Sequence, residues 1–366
     1  MLSPNVTDQD VSGTMAQPFI TADHDRALPK FARLATGFIR GYVRGTATGM
    51  GRPLRVTHEV THRCNLRCSF CALPLRAAGN EMSVSETRGV MDAFASIGTV
   101  SWGFTGGEPL IKEGIDELVV YASRTKGFLS NMVTNGTLIP DHLPALKQLA
   151  FLIVSVDGSE PVHDTLRGKG TFRKAVAGIE SARRKGIPVT IQTMLSFSLL
   201  QDTSNTNVDA MLQLAKELGC RIMFQRVYEE KDSTADAVQD LLHSKGDHTQ
   251  LMAFLAARKK KDPKLFYQSL PEIEYMWEHQ HHELRCYAGK FYCTLDPEGA
   301  VFPCIYKRAE RVPVVGKNAA ALLDAFATLP KRHTCRCFNS CYNRFNHLLG
   351  VNMKTAWRFA CDMFRN

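Results

Sequence analysis

From Leu54 onward, short apolar runs alternate with longer stretches in which apolar residues recur every three or four positions. The runs read as buried strands, and the longer recurrences as helices with one face turned inward. Strands are predicted at Leu54–Val60, Val100–Phe104, Ser130–Thr134, Phe151–Val156, Val189–Leu195 and Arg221–Val227. Helices are predicted between them, at Ser83–Ser96, Ile111–Ser123, Leu143–Leu149, Phe172–Lys185 and Val208–Leu218. Six such units in succession predict an α/β fold, a parallel sheet curved into a partial (β/α)6 barrel. Right-handed crossovers put the helices outside, and the working loops then lie at the carboxyl ends of the strands.

Four regions follow from the pattern. Residues 1–53 are an N-terminal tail and basic segment, and residues 54–228 are the barrel. Residues 229–283 are charged, with helical periodicity, and read as a linker beside the barrel. Residues 284–366 are a cysteine-rich domain that opens with a β-hairpin turning at Pro297-Glu298-Gly299.

The chain carries eleven cysteines and a net charge of +9. The cysteines fall into groups, 64/68/71, 286/293/304 and 335/337/341, with Cys361 later and Cys220 apart. Grouping of this kind points to metal binding in a reducing compartment. The opening residues are polar and acidic, with no apolar core of a signal peptide, so the expected location is the cytoplasm. Between Arg26 and His58 stand Arg26, Lys30, Arg33, Arg40, Arg44, Arg52 and Arg55, with no acid. Phe31, Leu34, Ala35, Phe38 and Tyr42 recur among them at helical spacing. Such a segment either lies on an anionic membrane at its inner face or packs outside the barrel, though Gly37 and Gly41 weaken a helix. Arg258 to Lys261 read as a solvated helix end, and without interleaved aromatics no nucleic-acid partner is expected.

The chemistry centres on Cys64, Cys68 and Cys71, in the run Thr-His-Arg-Cys-Asn-Leu-Arg-Cys-Ser-Phe-Cys. Three thiolates on one loop can hold three corners of a cubane cluster, leaving one iron open. Zinc sites usually draw on four ligands from paired arms, which this loop lacks. The Cys-x3-Cys-x-Phe-Cys run resembles the radical S-adenosylmethionine (SAM) enzymes. The resemblance implies a [4Fe–4S] cluster whose open iron chelates SAM. It also implies reductive cleavage to a 5′-deoxyadenosyl radical and hydrogen abstraction from a substrate.

Further elements match in order. Thr105-Gly106-Gly107-Glu108-Pro109 resembles the family's GGEP element, which binds the SAM amino group. Its two glycines would let the backbone approach a ligand closely. Asn135 follows the third strand, while Ser155 and Asp157 end the fourth with a shared orientation toward the mouth. His163-Asp164-x2-Arg167 resembles the segment that supplies a carboxylate-binding arginine, and a guanidinium suits a carboxylate. Gln192 is set toward the cofactor and Phe70 beside the adenine. No catalytic acid or base stands out.

The run from Leu295 to Cys304 resembles the Gly-x4-Cys hairpin of the SPASM/twitch extension, which carries one or two auxiliary [4Fe–4S] clusters. The ligand candidates are Cys286, Cys293, Cys304, Cys335, Cys337, Cys341 and Cys361, with Cys286, Cys293, Cys304 and Cys341 favoured for a single cluster. A shortened Cys-x-Cys departs from the SPASM pattern, and a structural zinc site is the alternative.

The expected function is an oxidoreductase or transferase that modifies a lipid or isoprenoid, a peptide, a tetrapyrrole or another small metabolite. An electron donor such as flavodoxin or ferredoxin is implied. The basic N-terminus favours a membrane-borne substrate. No peptide-binding domain is expected ahead of the first strand, so a peptide maturase would need a separate recognition protein. The alternative from another class is a non-catalytic iron–sulfur or zinc protein that binds a partner.

Overall fold

The computed structural model describes residues 51–76, 79–195, 204–226, 249–278 and 285–330 except 315 and 317, with Asn346 and scattered positions between 36 and 47. Strands β1 (Arg55–Glu59), β2 (Ser101–Thr105), β3 (Leu129–Thr134), β4 (Phe151–Ser155), β5 (Val189–Leu195) and β6 (Arg221–Arg226) pair in parallel, each with the next. Each lies within about a residue of its predicted span. The intervening helices are α1 (Val84–Ser96), α2 (Ile115–Val120), α3 (Ile139–Leu146), α4 (Glu160–Arg167), α5 (Thr171–Arg184) and α6 (Thr206–Glu217). Ser83 starts α1 with a capping box: its hydroxyl accepts from Glu86 N, and the Glu86 carboxylate accepts from Ser83 N. The short α4 was not foreseen. It follows β4 directly and ends on Arg167.

Alternation along the strands separates two faces. Trp102 faces the helices, with its ring centroid 5.5 Å from those of Phe94, Phe128 and His58. Burial, then the charge of Lys112, lowers His58 to about 3, so it is a neutral core histidine. The opposite face lines the barrel interior. There Arg55 donates to Ser101 Oγ at 3.0 Å and Asn131 Oδ1 at 3.2 Å. Arg55 therefore belongs to the barrel and not to the basic surface segment that the sequence suggested.

The region after β6 does more than link. Helices α7 (Thr249–Lys261) and α8 (Leu270–Glu278) flank a segment in which the Gln268 side chain accepts from Phe224 N at 2.8 Å and donates to Phe224 O at 2.9 Å. That amide satisfies backbone groups on the open edge of β6, where an unpaired strand would invite aggregation. Beyond it, β7 (Tyr292–Leu295) docks parallel to β1, extending the sheet on its other side. Strands β8 (Ala300–Phe302) and β9 (Val312–Pro313) follow antiparallel, and α9 (Ala319–Thr328) closes the described region. The hairpin turns where predicted, with Gly299 at φ 90° and Asp296 Oδ1 accepting from Glu298 N and Ala300 N.

An ion pair ties this C-terminal part to the barrel. Arg308 grips Glu59 with two hydrogen bonds of 2.7 Å, and His62 Nε2 lies 3.2 Å from Glu59 Oε2. Burial opposes ionisation of Glu59, but the hydrogen bonds from His62 and Arg308 outweigh it and hold the carboxyl at about 2. Glu81 also sits at about 2: burial opposes this, and bonds from Arg63, Thr61 and Lys112 overcome it. Between those values and an unfolded glutamate near 4.5, the unfolded chain binds more protons, so stability rises with pH there. Melting temperature should accordingly fall as pH drops from about 5 to about 2. Glu59→Gln should flatten part of that slope, and an unchanged profile would show that the pair does not stabilise the fold.

Candidate active site

The cysteine loop leaves the carboxyl end of β1. Arg67 steadies it by donating to Cys64 O at 2.7 Å and Leu66 O at 2.9 Å. Ser69 N donates to Leu166 O at 2.9 Å, pinning the loop to α4. Cys64, Cys68 and Cys71 line one cavity of about 130 Å³, together with Phe70, Thr105, Gly106, Gly107, Asn135, Ser155 and Arg167. Among the described residues no three ligating side chains converge on one point as a single metal ion requires. Three thiols from one loop around one cavity suit three corners of a cubane. Burial pushes the Cys68 thiol up to about 11 and Cys64 in the same direction.

The glycine pair serves the loop itself. Gly107 N donates to Thr61 O at 2.8 Å, and Glu108 N donates to Arg63 O at 2.9 Å. A Cβ on Gly107 would lie 2.1 Å from Arg63 O, and one on Gly106, at φ 133°, 2.2 Å from Thr61 O. The close approach expected toward a ligand is thus already made toward the backbone that carries Cys64. The Gly107 and Glu108 amides are spent there.

Three residues expected at the cofactor have other partners. Glu108 is fully buried, and its carboxylate accepts from Thr134 Oγ1 at 2.7 Å, Asn135 N at 2.8 Å and Leu110 N at 3.1 Å. Burial raises its pKa although these bonds pull the other way. Glu108 is a latch between the ends of β2 and β3. Asn135 Nδ2 donates to Asn65 Oδ1 at 2.8 Å while its Oδ1 accepts from Thr137 N at 3.0 Å, so it also braces the cysteine loop. Asp157, fully buried, accepts from Arg167 Nε at 2.5 Å and from Met194 N at 2.8 Å. It positions Arg167.

Arg167 keeps its place at the cavity. Its Nη1 lies 4.0 Å from Cys68 Sγ and its guanidinium 5.2 Å from the Phe70 ring centroid. Ser155 lines the same cavity, and Gln192, its register partner on β5, shares its face. Sequence reading gave no role to Asn65, or to Glu81 with its partners Arg63 and Lys112, since bracing residues carry no motif. His163 accepts from Asp157 N at 3.0 Å and so fixes the backbone beside Arg167.

The C-terminal cysteines divide. Cys304 and Cys286 share a small apolar patch with Leu54, Tyr287, Phe291 and Tyr292, and the Tyr292 hydroxyl lies 3.3 Å from Cys286 Sγ. Cys293 follows Tyr292 on β7 and so points to the opposite face, fully buried in the helix-side core opposite Val56. The favoured set that joined Cys293 to Cys286 and Cys304 therefore fails on strand alternation. Cys335, Cys337, Cys341 and Cys361 lie outside the described residues.

The family model of the radical SAM superfamily matches residues 58–198. The chain is 30% identical over 260 residues to the AdoMet-dependent heme synthase of Methanosarcina barkeri (strain Fusaro / DSM 804), covering 65% of this chain and 70% of that protein. It is 35% identical over 127 residues to the Fe-coproporphyrin III synthase of the same organism, a match spanning 34% of this chain and 32% of the relative. The crystal structure of Streptococcus suis SuiB bound to precursor peptide SuiA aligns with a TM-score of 0.61 at 16% identity, over 88% of this chain and 72% of that one. At that identity the likeness speaks for the fold. The cysteine loop at the mouth of a parallel barrel and the extent of the heme synthase match together establish that the chain belongs to the radical SAM superfamily.

Proposed function

We propose that this enzyme holds a [4Fe–4S] cluster on Cys64, Cys68 and Cys71, cleaves SAM reductively, and modifies a substrate lodged inside the barrel. When bound, cluster and SAM supply the 5′-deoxyadenosyl radical that abstracts hydrogen. The observation that carries the reading is the single cavity shared by the three thiols and Arg167. Arg167, oriented by Asp157, offers its remaining guanidinium edge to the SAM carboxylate. Ser155 and the carbonyls of Gly106 and Gly107 supply neutral polar contacts, and Phe70 packs against the guanidinium. Anaerobic reconstitution, followed by SAM and dithionite, should yield 5′-deoxyadenosine. Its absence from a cluster-loaded sample would leave the non-catalytic alternative.

Names among the similar proteins, heme synthase and a peptide-bound enzyme, are compatible with a tetrapyrrole or a peptide.

Arg167→Lys should keep the cluster but weaken SAM binding. A lost charge-assisted hydrogen bond is worth about 1.5–3 kcal/mol, roughly tenfold to a hundredfold in affinity. Calorimetric titration of loaded protein tests it, and unchanged affinity would place the carboxylate elsewhere. For the auxiliary site, the shared patch supports Cys286 and Cys304 as ligands, completed from the later cysteines. Cys304→Ala should lower iron per chain, whereas Cys293→Ala should not. Equal losses would return Cys293 to the ligand set.

A further inference from the structure

At the end of the barrel opposite the cysteine loop, the helical positions between 36 and 47 lie across the starts of β1 and β2. Gly37 and Gly41 make this approach possible. A Cβ on Gly41 would meet Leu54 Cδ2 at 2.3 Å, and one on Gly37 would meet Val100 Cγ1 at 3.0 Å. The glycines that weaken the helix in isolation are the residues that seat it.

Beside this contact lies a cavity of about 380 Å³. Arg40, Arg52 and Lys126 line it, and no acidic residue does among those described. Arg52 Nε is buried without a hydrogen-bond partner. Lys126 shares its charge with Asp92, 2.5 Å away, and lies over the Tyr121 ring, while Arg40 is exposed. A cationic recess with an unsatisfied donor is built for an anion.

The surroundings say which anion. Ile39 and Val43, one helical turn apart, are 63% and 58% exposed. Leu129, next to the cavity-lining Phe128, is 40% exposed. Three of the four large hydrophobics exposed among the described residues thus sit at this end; Val120 is the fourth. Exposed Lys147 and Lys185 precede β4 and β5 at the same end. A soluble phosphate would need the cations alone. Apolar side chains standing out around a basic recess match the boundary between lipid headgroups and acyl chains.

We infer that the cavity takes the phosphate of an anionic phospholipid while Ile39 and Val43 enter the acyl boundary, so that the barrel docks on a membrane by its floor. The mouth, at the other end of the strands, then faces water. Substrate and electron donor reach the site from the aqueous side, and membrane contact no longer argues for a lipid substrate.

The test is co-sedimentation of reconstituted full-length protein with phosphatidylcholine vesicles, with and without phosphatidylglycerol. Binding should be at least about tenfold stronger to the anionic vesicles at low salt, and should collapse at high salt. Arg40→Glu with Arg52→Glu, and separately Ile39→Ser with Val43→Ser, should each reduce it about tenfold or more. Uncoupled 5′-deoxyadenosine formation should stay at the wild-type rate in both, which also shows that they fold; Arg40→Glu alone, at an exposed position, backs up the first. Wild-type protein that ignores anionic vesicles, or variants that bind as well as wild type, would overturn the proposal. Thermal stabilisation by inorganic phosphate without vesicle binding would reassign the cavity to a soluble anion. Failure to cleave SAM in the wild type would sink the proposed reaction and leave the vesicle result standing.

Discussion

Replacing Cys64, Cys68 and Cys71 together with alanine is expected to reduce 5′-deoxyadenosine formation to background while leaving iron–sulfur absorbance in the protein. All three thiols open onto the cavity that Arg167 and Ser155 also line. Without them no open iron is presented there, and SAM loses the anchor for its amino and carboxylate groups. The residual iron would then sit at the separate patch that holds Cys286 and Cys304, the proposed auxiliary site. That patch adjoins Leu54, at the start of β1, whereas the loop leaves that strand's other end. Five residues of strand span about 17 Å, so loss of one set need not unseat the other. Iron analysis and product chromatography on the same sample check both halves. Loss of all iron, with zinc in its place, would remove the auxiliary cluster from the account.

The second large effect is expected from Gly107→Ala. A ligand-facing glycine would lose SAM affinity and keep its cluster. The observed packing predicts otherwise, because the new methyl would meet Arg63 O at 2.1 Å and His62 O at 2.7 Å, both in the backbone leading into Cys64. Relief requires the cysteine loop or the Gly106–Glu108 turn to move. That movement breaks the hydrogen bonds from Gly107 N and Glu108 N and disturbs the latch on Thr134 and Asn135. Forced overpacking typically costs about 1–3 kcal/mol. Cluster content and SAM binding should therefore fall together. A variant that loads its cluster fully yet fails to bind SAM would show that the turn touches the ligand and not the loop.

The barrel was legible because strand and helix periods differ and each element keeps its own. The Val189–Leu195 strand forms over the predicted residues, and α1 starts one residue inside the predicted Ser83–Ser96 span, with Ser83 as its cap. The hairpin at Gly299 was equally local, since a positive φ suits glycine there. What escaped was pairing at a distance. Nothing near Tyr292 announces that its strand will lie parallel to β1, nor that Gln268 will cover the edge of β6.

The same division runs through the site. By itself the sequence determined three cysteines at a fixed spacing on one loop, and the position of that loop after the first strand, because these are local properties of the chain. Only the tertiary structure decided what each polar neighbour faces. Asp157 and Glu108 carry the chemistry of ligand-binding carboxylates, yet burial obliges each to find protein donors, and Arg167 and Thr134 supply them. Cys293 carries the chemistry of a ligand, yet alternation on β7 turns it into the core. Gly37 and Gly41 argue against a helix until Leu54 and Val100 stand close enough to need them. A side chain's direction depends on partners brought together by folding, and a local reading of the chain does not contain them.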